Sequence, residues 1–506
     1  MSFESTLTVS LNNQNYDISV ILINGNSPAQ RLPRGIVQEI LIEDNIYSIF
    51  HTGKLTINSS HNALDNSPLT PTFNIDSRDT VLVDIKPVHK AGDERKFPIE
   101  LWGLNFAFFI YDEEEVINGD TNNKTKIYHL RDIREQYLRE INTRWSTAGA
   151  AGIMPNIGQL SDEHRSMYTG DAIQSLLTTG LEGKGAELMW ADDWSLGSNK
   201  IFYTSTGDTT LFDDIEYVLD DHMSSDDDNC FLRAERSPNI SLFSLRSVSD
   251  YFQGTVGDRG EGLGPANADV FALHSGTTTD TKGVNNSKIP KGKSPKQIDT
   301  GTLEMFDSLT NFELLNTSNA DSMSELVTTL GHTYDRRNKE FIIRSKETHI
   351  QSIRDKYEQL VNDKLVSHTV NAVFPVNADK LENRVFKNID TGVRSWYKKT
   401  IGRVMNKALA FSPGISFTVH GSTHRQAGRF YTLADKTSNN DTPFEKLLMG
   451  DWLGIKVSHV FMLEQNAYAN HISCVRPFTY EPLLLDAPGT PGGLRIDMSG
   501  EETQLA

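Results

Sequence analysis

The segment Trp102-Gly-Leu-Asn-Phe-Ala-Phe-Phe-Ile110 decides the fold class, because it places a large apolar side chain at every second position. Side chains alternate between the two faces of a β-strand, so this period predicts a strand with one face in a core. The same alternation recurs upstream in four shorter runs: Leu7, Val9 and Leu11; Ile18, Val20 and Leu22; Ile36, Ile40 and Ile42; and Val81, Val83 and Ile85. Five or more strands are therefore predicted within residues 1–125.

Turn-forming residues separate these runs. They occur at Asn24-Gly25-Asn26, at Asp65-Asn66-Ser67-Pro68 and at Ala91-Gly92-Asp93. Short turns join antiparallel neighbours, so the pattern favours an antiparallel sandwich or barrel over a parallel sheet. A short loop from Asn118 to Lys124 is expected to end this region.

The apolar spacing becomes helical from Lys126 onward. Three amphipathic helices are predicted, with buried faces made by Leu130, Ile133, Tyr137, Leu138 and Ile141; by Ile173, Leu176 and Leu177; and by Leu211, Ile215, Val218 and Leu219. A Gly- and Ala-rich break at 148–158 precedes the second helix. Strand geometry then returns in a hairpin that begins at Cys230, with its turn at Ser237-Pro238-Asn239.

Residues 253–301 are rich in Gly, Thr, Asn, Ser, Pro and Lys and offer few apolar side chains to bury, which predicts a long flexible loop. A basic patch in this loop is either solvated or docked onto an acidic neighbour; its lysines are Lys282, Lys288, Lys291, Lys293 and Lys296. A further helix is expected to carry Ile350, Ile353, Tyr357, Leu360 and Val361. Strands resume from about Lys407, at Ile415, Phe417 and Val419; at Ile455, Val457, Phe461 and Leu463; and at Ile472 and Cys474. The segment after Tyr480 is expected to be an extended tail.

Composition sets the broad class of the protein. A chain of 506 residues has room for roughly two to four domains. No secretion signal opens the sequence, and no apolar run approaches the roughly 20 residues of a membrane helix. Two cysteines are too few for a disulfide framework and are typical of a reducing cytoplasm. The net charge of −18 argues against specific nucleic-acid binding, which needs a surplus of Lys and Arg.

Motifs of enzymes and metal sites give no candidate. The sequence has no G-x-S-x-G, no P-loop and no H-E-x-x-H. The stretch 257–262 resembles a nucleotide loop but lacks the flanking strand and helix, and Asp220-Asp221-His222 with 226–228 is interpreted as a solvated acidic turn at a helix end. Four histidines in the second β-rich part could hold zinc, but their positions favour isolated strand residues; they are His420, His424, His459 and His471. We therefore predict no enzyme and no catalytic, cofactor-binding or metal residue.

Three segments resemble one family. They are Leu32–Asn58, which contains Thr52-Gly-Lys-Leu-Thr-Ile57; Ala408–Val419 followed by Ala427-Gly428; and Trp452–Phe461 with Ala467–Arg476. In order and spacing they are similar to the strands of the central hub proteins of contractile phage baseplates, a family with duplicated barrels like those of the tail tube. The hairpin from Cys230 to Tyr251 resembles the hub hairpin that returns to the second barrel.

The resemblance implies an α+β, predominantly β fold with two tube-like antiparallel β-barrels and a mixed middle domain inserted between and within them. The first barrel would span 1–125 and the second 228–252 with 401–480. The middle domain would span 126–227 and 253–400, and the tail 481–506.

The resemblance also implies a function. Three copies would form the hub of a virion baseplate, assembled in the host cytoplasm, and adapt the sixfold tube to the threefold spike around a channel for DNA ejection. The expected partners are further copies of the chain, the tail tube protein, the central spike, the baseplate wedge proteins and a tape-measure protein, with no cofactor and no membrane insertion. The alternatives are a hub of a phage-like secretion or injection machine, a phage cell-wall hydrolase, and a receptor- or carbohydrate-binding β-protein.

Overall fold

The computed structural model describes residues 7–11, 14–23, 29–32, 35–58, 79–88, 103–117, 124–142, 144–147, 166–185, 187–198, 200–205, 207–224, 230–236, 240–247, 251, 269–272, 310–315, 328–335, 340–344, 369–373, 384–388, 414–434, 450–475, 494–496 and 502–504. These residues form 25 strands and three α-helices. The prediction of a predominantly β chain is confirmed. Of the described helices, none has the length and apolar character needed to cross a membrane.

An antiparallel region is built from the amino-terminal part of the chain. Its strands are β1 (Leu7–Leu11), β2 (Gln14–Ile23), β3 (Gln30–Arg31), β4 (Val37–Asn45), β5 (Thr52–Asn58), β6 (Thr80–Pro87), β7 (Leu104–Ile117) and β8 (Lys124–Asp132). They lie in the order β1-β2-β6-β7-β8-β5-β4, with β3 added to β2, and form a curled half-barrel. Each of the five apolar runs contains a strand, and its described alternate residues are buried, as with Val81, Val83 and Ile85; Ile36 lies in the turn before β4, and Trp102 is outside the described residues.

A second region comes mainly from the carboxy-terminal part. Its strands are β14 (Asp269–Ala272), β15 (Thr310–Leu315), β20 (Gly414–His420), β21 (Phe430–Ala434), β22 (Gly450–Met462) and β23 (Ala467–Val475). The order β22-β23-β20-β15 is antiparallel, β21 pairs with the beginning of β22, and β14 pairs in parallel with β21. Because β22 also pairs with β4, the two regions form one 14-stranded sheet.

The first predicted helix begins later than its apolar spacing indicated. Residues Lys124–Asp132 are strand β8, paired with both β5 and β7, and the helix α1 covers only Ile133–Glu140. In β8 the buried residues are Tyr128, Leu130 and Asp132, which is the strand period of two. Leu130 fits both the helical period and the strand period. The strand forms because β8 pairs with β5 on one side and with β7 on the other.

A helical unit follows the first region. Its helices are α1, α2 (Thr169–Leu181) and α3 (Leu211–Asp221), and the two later ones confirm the predicted faces. A capping box of Thr210 and Asp213 begins α3. Short strands complete the unit: β9 (Met167–Tyr168), β10 (Glu187–Trp190), β11 (Lys200–Ser205), β12 (Cys230–Ala234), β13 (Ile240–Ser247) and β19 (Arg384–Asn388).

The predicted hairpin at Cys230 is confirmed as β12 and β13, but it pairs with β10 and not with the 14-stranded sheet. Its apolar residues Leu232, Phe243 and Leu245 lie in one core cluster with the three helices. Other parts of the hairpin contact the second region, since Tyr251 clusters with Phe430 and Leu453. Its membership of a second barrel stays a prediction.

Other strands change two expectations. The stretch 253–301, predicted as a loop, contains β14, and the predicted tail contains the paired strands β24 (Leu494–Ile496) and β25 (Glu502–Gln504). A separate three-stranded sheet consists of β16 (Thr328–Asp335), β17 (Glu340–Arg344) and β18 (Thr369–Val373). The predicted helix at 350–361, the glycine-rich stretch 257–262, the lysines of 282–296 and the three amino-terminal turns lie outside the described residues.

Candidate functional site: the seam between the two β regions

The two β regions join edge to edge along β4 and β22, and we call these paired segments the seam. Seven residue pairs run from Lys456 opposite Asn45 to Met462 opposite Glu39. Backbone hydrogen bonds continue the pairing at both ends, from Ile46 to the Ile455 carbonyl at 2.9 Å and from Leu463 to the Gln38 carbonyl at 2.9 Å. The seam is therefore a full-length antiparallel strand pair formed by segments more than 400 residues apart.

Strand β22 is long enough to pair with two different strands, one after the other, along the same edge. Its first residues, Gly450 to Leu453, pair with β21, and its residues from Lys456 onward pair with β4. A register shift between Gly454 and Lys456 separates the two parts. A bulge of this kind bends a strand and increases its twist, which lets one strand follow two sheets. It also displaces Ile455 from the simple alternation, and this residue is only half-buried.

An aromatic cluster fills the interior beneath the seam. Phe461 stacks on Tyr468 with ring centroids 3.9 Å apart, and Tyr16 of β2 meets Tyr468 edge to face at 5.4 Å. All three are buried in the core of the amino-terminal half-barrel. The end of the β22–β23 hairpin thus supplies part of the core of the other region. The interface is closed by packing as well as by backbone pairing.

A buried polar junction lies at one end of the seam, and we define it by Asp44, His51, Arg233, Arg236 and Ala427. Asp44 accepts hydrogen bonds from Arg233 Nη2 at 2.7 Å and from the Ala427 backbone N–H at 2.9 Å. Arg233 also donates to the Ala427 carbonyl at 2.8 Å. Strand β4, strand β12 and the 422–429 loop are therefore tied together by one carboxylate and one guanidinium.

The electrostatics of this junction favour the charged pair. Burial alone would raise the pKa of Asp44, but Arg233, His51 and the Ala427 N–H together hold it below its ordinary value. Burial likewise acts to lower the pKa of Arg233, and the carboxylates of Asp44 and Glu235 hold it above the ordinary value. Removing either charge would leave the other buried without the counter-ion to which it is hydrogen-bonded.

Further contacts widen the junction. Arg236 donates to the Arg425 carbonyl and to the Gly103 carbonyl, each at 3.1 Å, and so reaches the start of β7. Gly428 has φ of +81°, a conformation that favours glycine, and a Cβ there would lie 2.7 Å from Arg233 Nη1. Glycine is therefore required at position 428 for two reasons: its φ is positive, and Arg233 lies too close for a Cβ.

His51 lies beside the ion pair with little polar contact of its own. It is 3% exposed, and neither ring nitrogen has a hydrogen-bond partner among the described residues. Its Nε2 is 3.7 Å from Asp44 Oδ1, and its ring lies 4.8 Å from that of Phe106. Burial lowers the pKa of His51 to about 4, against the opposing effect of Asp44 and Asp132. The imidazole is therefore neutral at pH 7.

The histidines named from the sequence do not gather around a common point. The imidazole of buried His459 contacts Tyr468 OH at 2.8 Å through Nδ1 and the Arg425 carbonyl at 3.0 Å through Nε2. These contacts hold the ring between β23 and the 422–429 loop. His471 contacts Thr418 Oγ1 at 2.7 Å and His424 contacts Ser422 Oγ at 2.6 Å; the side chain of His420 lies outside the described set. Within the described ranges, no three His, Cys, Asp or Glu side chains are placed to hold a metal ion.

The acidic turn at Asp220-Asp221-His222 was predicted to be solvated, and this is correct for exposed Asp220 but wrong for Asp221 and His222, which are buried; residues 226–228 lie outside the described residues. Asp221 is 3% and His222 2% exposed. His222 contacts Thr169 Oγ1 at 2.8 Å through Nδ1 and Ser195 Oγ at 3.1 Å through Nε2. The imidazole fastens the end of α3 to the start of α2, which explains its burial. Thr169 and Ser195 lie 53 and 27 residues from His222, so no pattern near His222 in the sequence indicated that it would be buried.

Neither of the two cysteines forms a disulfide. Cys474 is buried in β23, where burial raises its pKa well above the ordinary value, and Cys230 is half-buried in β12. In the junction, Asp44, Arg233 and Ala427 are buried and hydrogen-bonded to one another. Such an arrangement is suited to a rigid joint between two sheets.

Neither a protein-family model nor a curated protein sequence matches this chain. Solved structures of tail proteins do. The 43 kDa tail protein of prophage MuSo2 from Shewanella oneidensis is 10% identical, with a TM-score of 0.47 and coverage of 91% of this chain and 98% of that one. A tail protein from Neisseria meningitidis is 8% identical, with a TM-score of 0.46 and coverage of 92% and 98%. A Francisella PdpA–VgrG complex is 11% identical, with a TM-score of 0.43 and coverage of 93% and 59%.

Proposed function

We propose that this chain is the structural subunit of the central hub of a contractile phage baseplate, with three copies around the tail axis. The observation that carries the proposal is the seam, where an amino-terminal and a carboxy-terminal antiparallel region join edge to edge within one chain. Two tube-like barrels held side by side would let three chains present six similar units to a sixfold tube. The same trimer would present threefold symmetry to a spike.

The ends of the sheet support a closed ring. The sheet path begins at β1 and ends at β15, and each of these strands pairs on one side only among the described residues. The two ends are unlike, so contacts between copies would be head to tail, and contacts of this type close into a ring when the rotation allows it. Joining β15 of one copy to β1 of the next would also cover both exposed edges.

The junction supports a structural role over a catalytic one. Asp44 and Arg233 satisfy each other inside the protein, with side chains 4% and 3% exposed, and so are withdrawn from any substrate. A buried, hydrogen-bonded ion pair fixes the relative position of the elements that carry it. A hub needs fixed geometry because it transmits force between tube and spike.

The finer assignments follow from the same proposal. In this proposal the first barrel occupies 1–125, the second 228–252 with 401–480, the middle domain 126–227 with 253–400, and the tail 481–506. Strand β8 continues the first barrel to Asp132, and β14 and β15, within 253–400, pair with strands of the second region. The partners are the tail tube protein, the spike, the wedge proteins and a tape-measure protein, in the virion baseplate. The net charge of −18 would let DNA pass through the ring at low affinity. A hub of a phage-like injection machine would use the same architecture, and neighbouring genes for tube, sheath and spike distinguish the two.

The test is the assembly state of the full chain. Light scattering behind size exclusion should give about 170 kDa, three times the 56.6 kDa of one chain, and electron microscopy should show rings with three strong and six weaker repeats. A monomer at every concentration, with or without a purified tube protein, would overturn the hub. Release of cell-wall fragments by the purified chain would favour the hydrolase instead.

A further inference from the structure

The β12–β13 hairpin has one apolar face and one charged face. Its apolar residues, among them Leu232 and Phe243, lie in the core cluster of the helical unit. Side chains alternate along a strand, and residues directly opposite each other in a strand pair share a face. Ser244 lies opposite Arg233, and Arg246 is two residues beyond Ser244, so these three belong to the other face. That face carries ion pairs in addition to the one in the junction.

Arg246 joins two carboxylates on the charged face. Its Nε donates to Asp193 Oδ2 at 2.6 Å, and its Nη1 donates to Glu235 Oε1 at 3.1 Å. The hydroxyl of Ser244 donates to the same oxygen of Glu235 at 2.5 Å. Arg246 is buried and Glu235 is nearly so, which keeps these contacts from being screened by solvent ions.

These groups continue the buried ion pair of the junction. Glu235 lies two residues after Arg233, which binds Asp44. Burial raises the pKa of Glu235, but Arg233 and Arg246 together hold it below its ordinary value. One carboxylate is thus stabilised by two guanidinium groups, one from each strand of the hairpin. Five charges of alternating sign follow one another, and we call them the charge row; they are Asp44, Arg233, Glu235, Arg246 and Asp193.

The second end of the charge row lies on a segment that is fixed to the helical unit. Asp193 belongs to residues 191–198, which follow β10. The Leu196 carbonyl accepts the N–H of Gly170 in α2 at 2.9 Å, and the N–H of Ser198 donates at 2.9 Å to a carbonyl two residues after α3. The segment is therefore held to α2 and α3, whereas the first end of the charge row lies in strand β4 of the seam.

A change at one end of the charge row can be transmitted to the other. Charges interact more strongly in a buried site than in water, and hydrogen bonds within one network strengthen one another. If Asp193 is withdrawn, Arg246 is left with Glu235. Glu235 is then drawn towards Arg246 and stabilises Arg233 less. The effect arrives at the junction, where Arg233 ties β12 to β4.

We propose that the charge row couples the helical unit to the seam, so that displacing the 191–198 segment loosens the pairing of β4 with β22. The hairpin is the physical link, because its apolar face packs in the helical core and its charged face contacts β4. The segment lies at the surface, since Leu196 is 52% exposed. The coupling acts within one chain, so it goes beyond the hub and does not depend on it.

Hydrogen exchange of the full chain, followed by mass spectrometry, tests the coupling. Asp193→Asn removes one end of the charge row at a partly exposed position and should accelerate exchange in the peptides of β4 and of the second half of β22 by roughly three- to thirty-fold. The control Glu182→Gln removes an exposed carboxylate at the end of α2 and should leave those peptides at the wild-type rate. Peptides of β1 and β2, at the opposite end of the sheet path, should be unchanged in both variants.

A coupling between two sites acts equally in both directions, which gives a second measurement. Asp44→Asn, studied under conditions in which it is folded, should accelerate exchange in the peptides of 191–198. Wild-type rates of β4 and β22 in Asp193→Asn would overturn the proposal. Equal acceleration of β1 and β2 would overturn it too, because the variant would then have lost stability throughout the sheet. Unchanged exchange of 191–198 in Asp44→Asn would also contradict it.

Discussion

Replacing His51 by Phe tests whether the buried imidazole makes the seam sensitive to pH. The ring is buried against Phe106, and its Nε2 lies 3.7 Å from the carboxylate of Asp44. The charged groups around it come from β4, β8, α1 and β12, namely Asp44, Asp132, Arg134 and Arg233. Phe is close in size and cannot be protonated, so the variant removes the titration while filling the space.

The pKa values give the expected magnitude. Burial lowers the pKa of His51 from 6.5 to about 4, so the unfolded chain takes up a proton at a higher pH than the folded chain does. The free energy of unfolding therefore falls as pH drops below 6.5, and the loss is nearly complete at pH 4. The loss between pH 7 and pH 5 is about 2 kcal/mol, because roughly 1.5 pH units of that interval lie between the two pKa values, below 6.5 and above 4, and each pH unit there costs about 1.36 kcal/mol.

Hydrogen exchange of the β4 and β22 peptides in increasing urea measures the stability of the seam directly. Wild type should lose about 2 kcal/mol more than His51→Phe between pH 7 and pH 5. His129→Gln, which changes a histidine of β8 outside the junction, should behave like wild type. Parallel losses in wild type and His51→Phe would refute the reasoning, because His51 would then titrate as it does in the unfolded chain.

Two further predictions concern the junction itself. Asp44→Asn leaves the guanidinium of Arg233 buried without its counter-ion and should lower the free energy of unfolding by about 3–5 kcal/mol in urea titrations, whereas Glu43→Gln, at a partly exposed ion pair, should cost at most about 1 kcal/mol. Equal losses in the two variants would contradict the proposed importance of the buried pair. Gly428→Ala combines positive φ with a close approach and should cost more than Gly183→Ala, which has φ of +74° and open space around it; the αL cost alone is about 1–2 kcal/mol. Calorimetry of the two alanine variants measures the difference, and equal values would show that the close approach is relieved without cost.

Local periodicity predicted much of the secondary structure. Alternation placed β1, β2, β4, β6 and β7, since one face of each lies in a core and the other does not. It failed at β8, where Leu130 fits both periods and only the neighbouring strands decide. The bulge beside Ile455 could not be predicted from the alternation either, because it depends on how β22 bends between its two partner strands.

The junction could not be predicted from sequence. Asp44 and Arg233 meet across 189 residues, and a lone Arg in a short strand is ordinarily exposed. The burial of His51 is equally hidden in the sequence, because nothing in its neighbours along the chain indicates it. The Ala427-Gly428 motif is visible in the sequence, but the need for glycine there comes from the close approach of Arg233 to Gly428.

The seam also has a consequence for synthesis on the ribosome. Strand β4 leaves the ribosome roughly 400 residues before β22, which at about 5–20 residues per second is a delay of about 20–80 seconds. During that time the outer edge of β4 has no native partner. The nascent chain must keep this edge from pairing with other polypeptides until β22 has been made, so we expect chaperones to bind near residues 37–45.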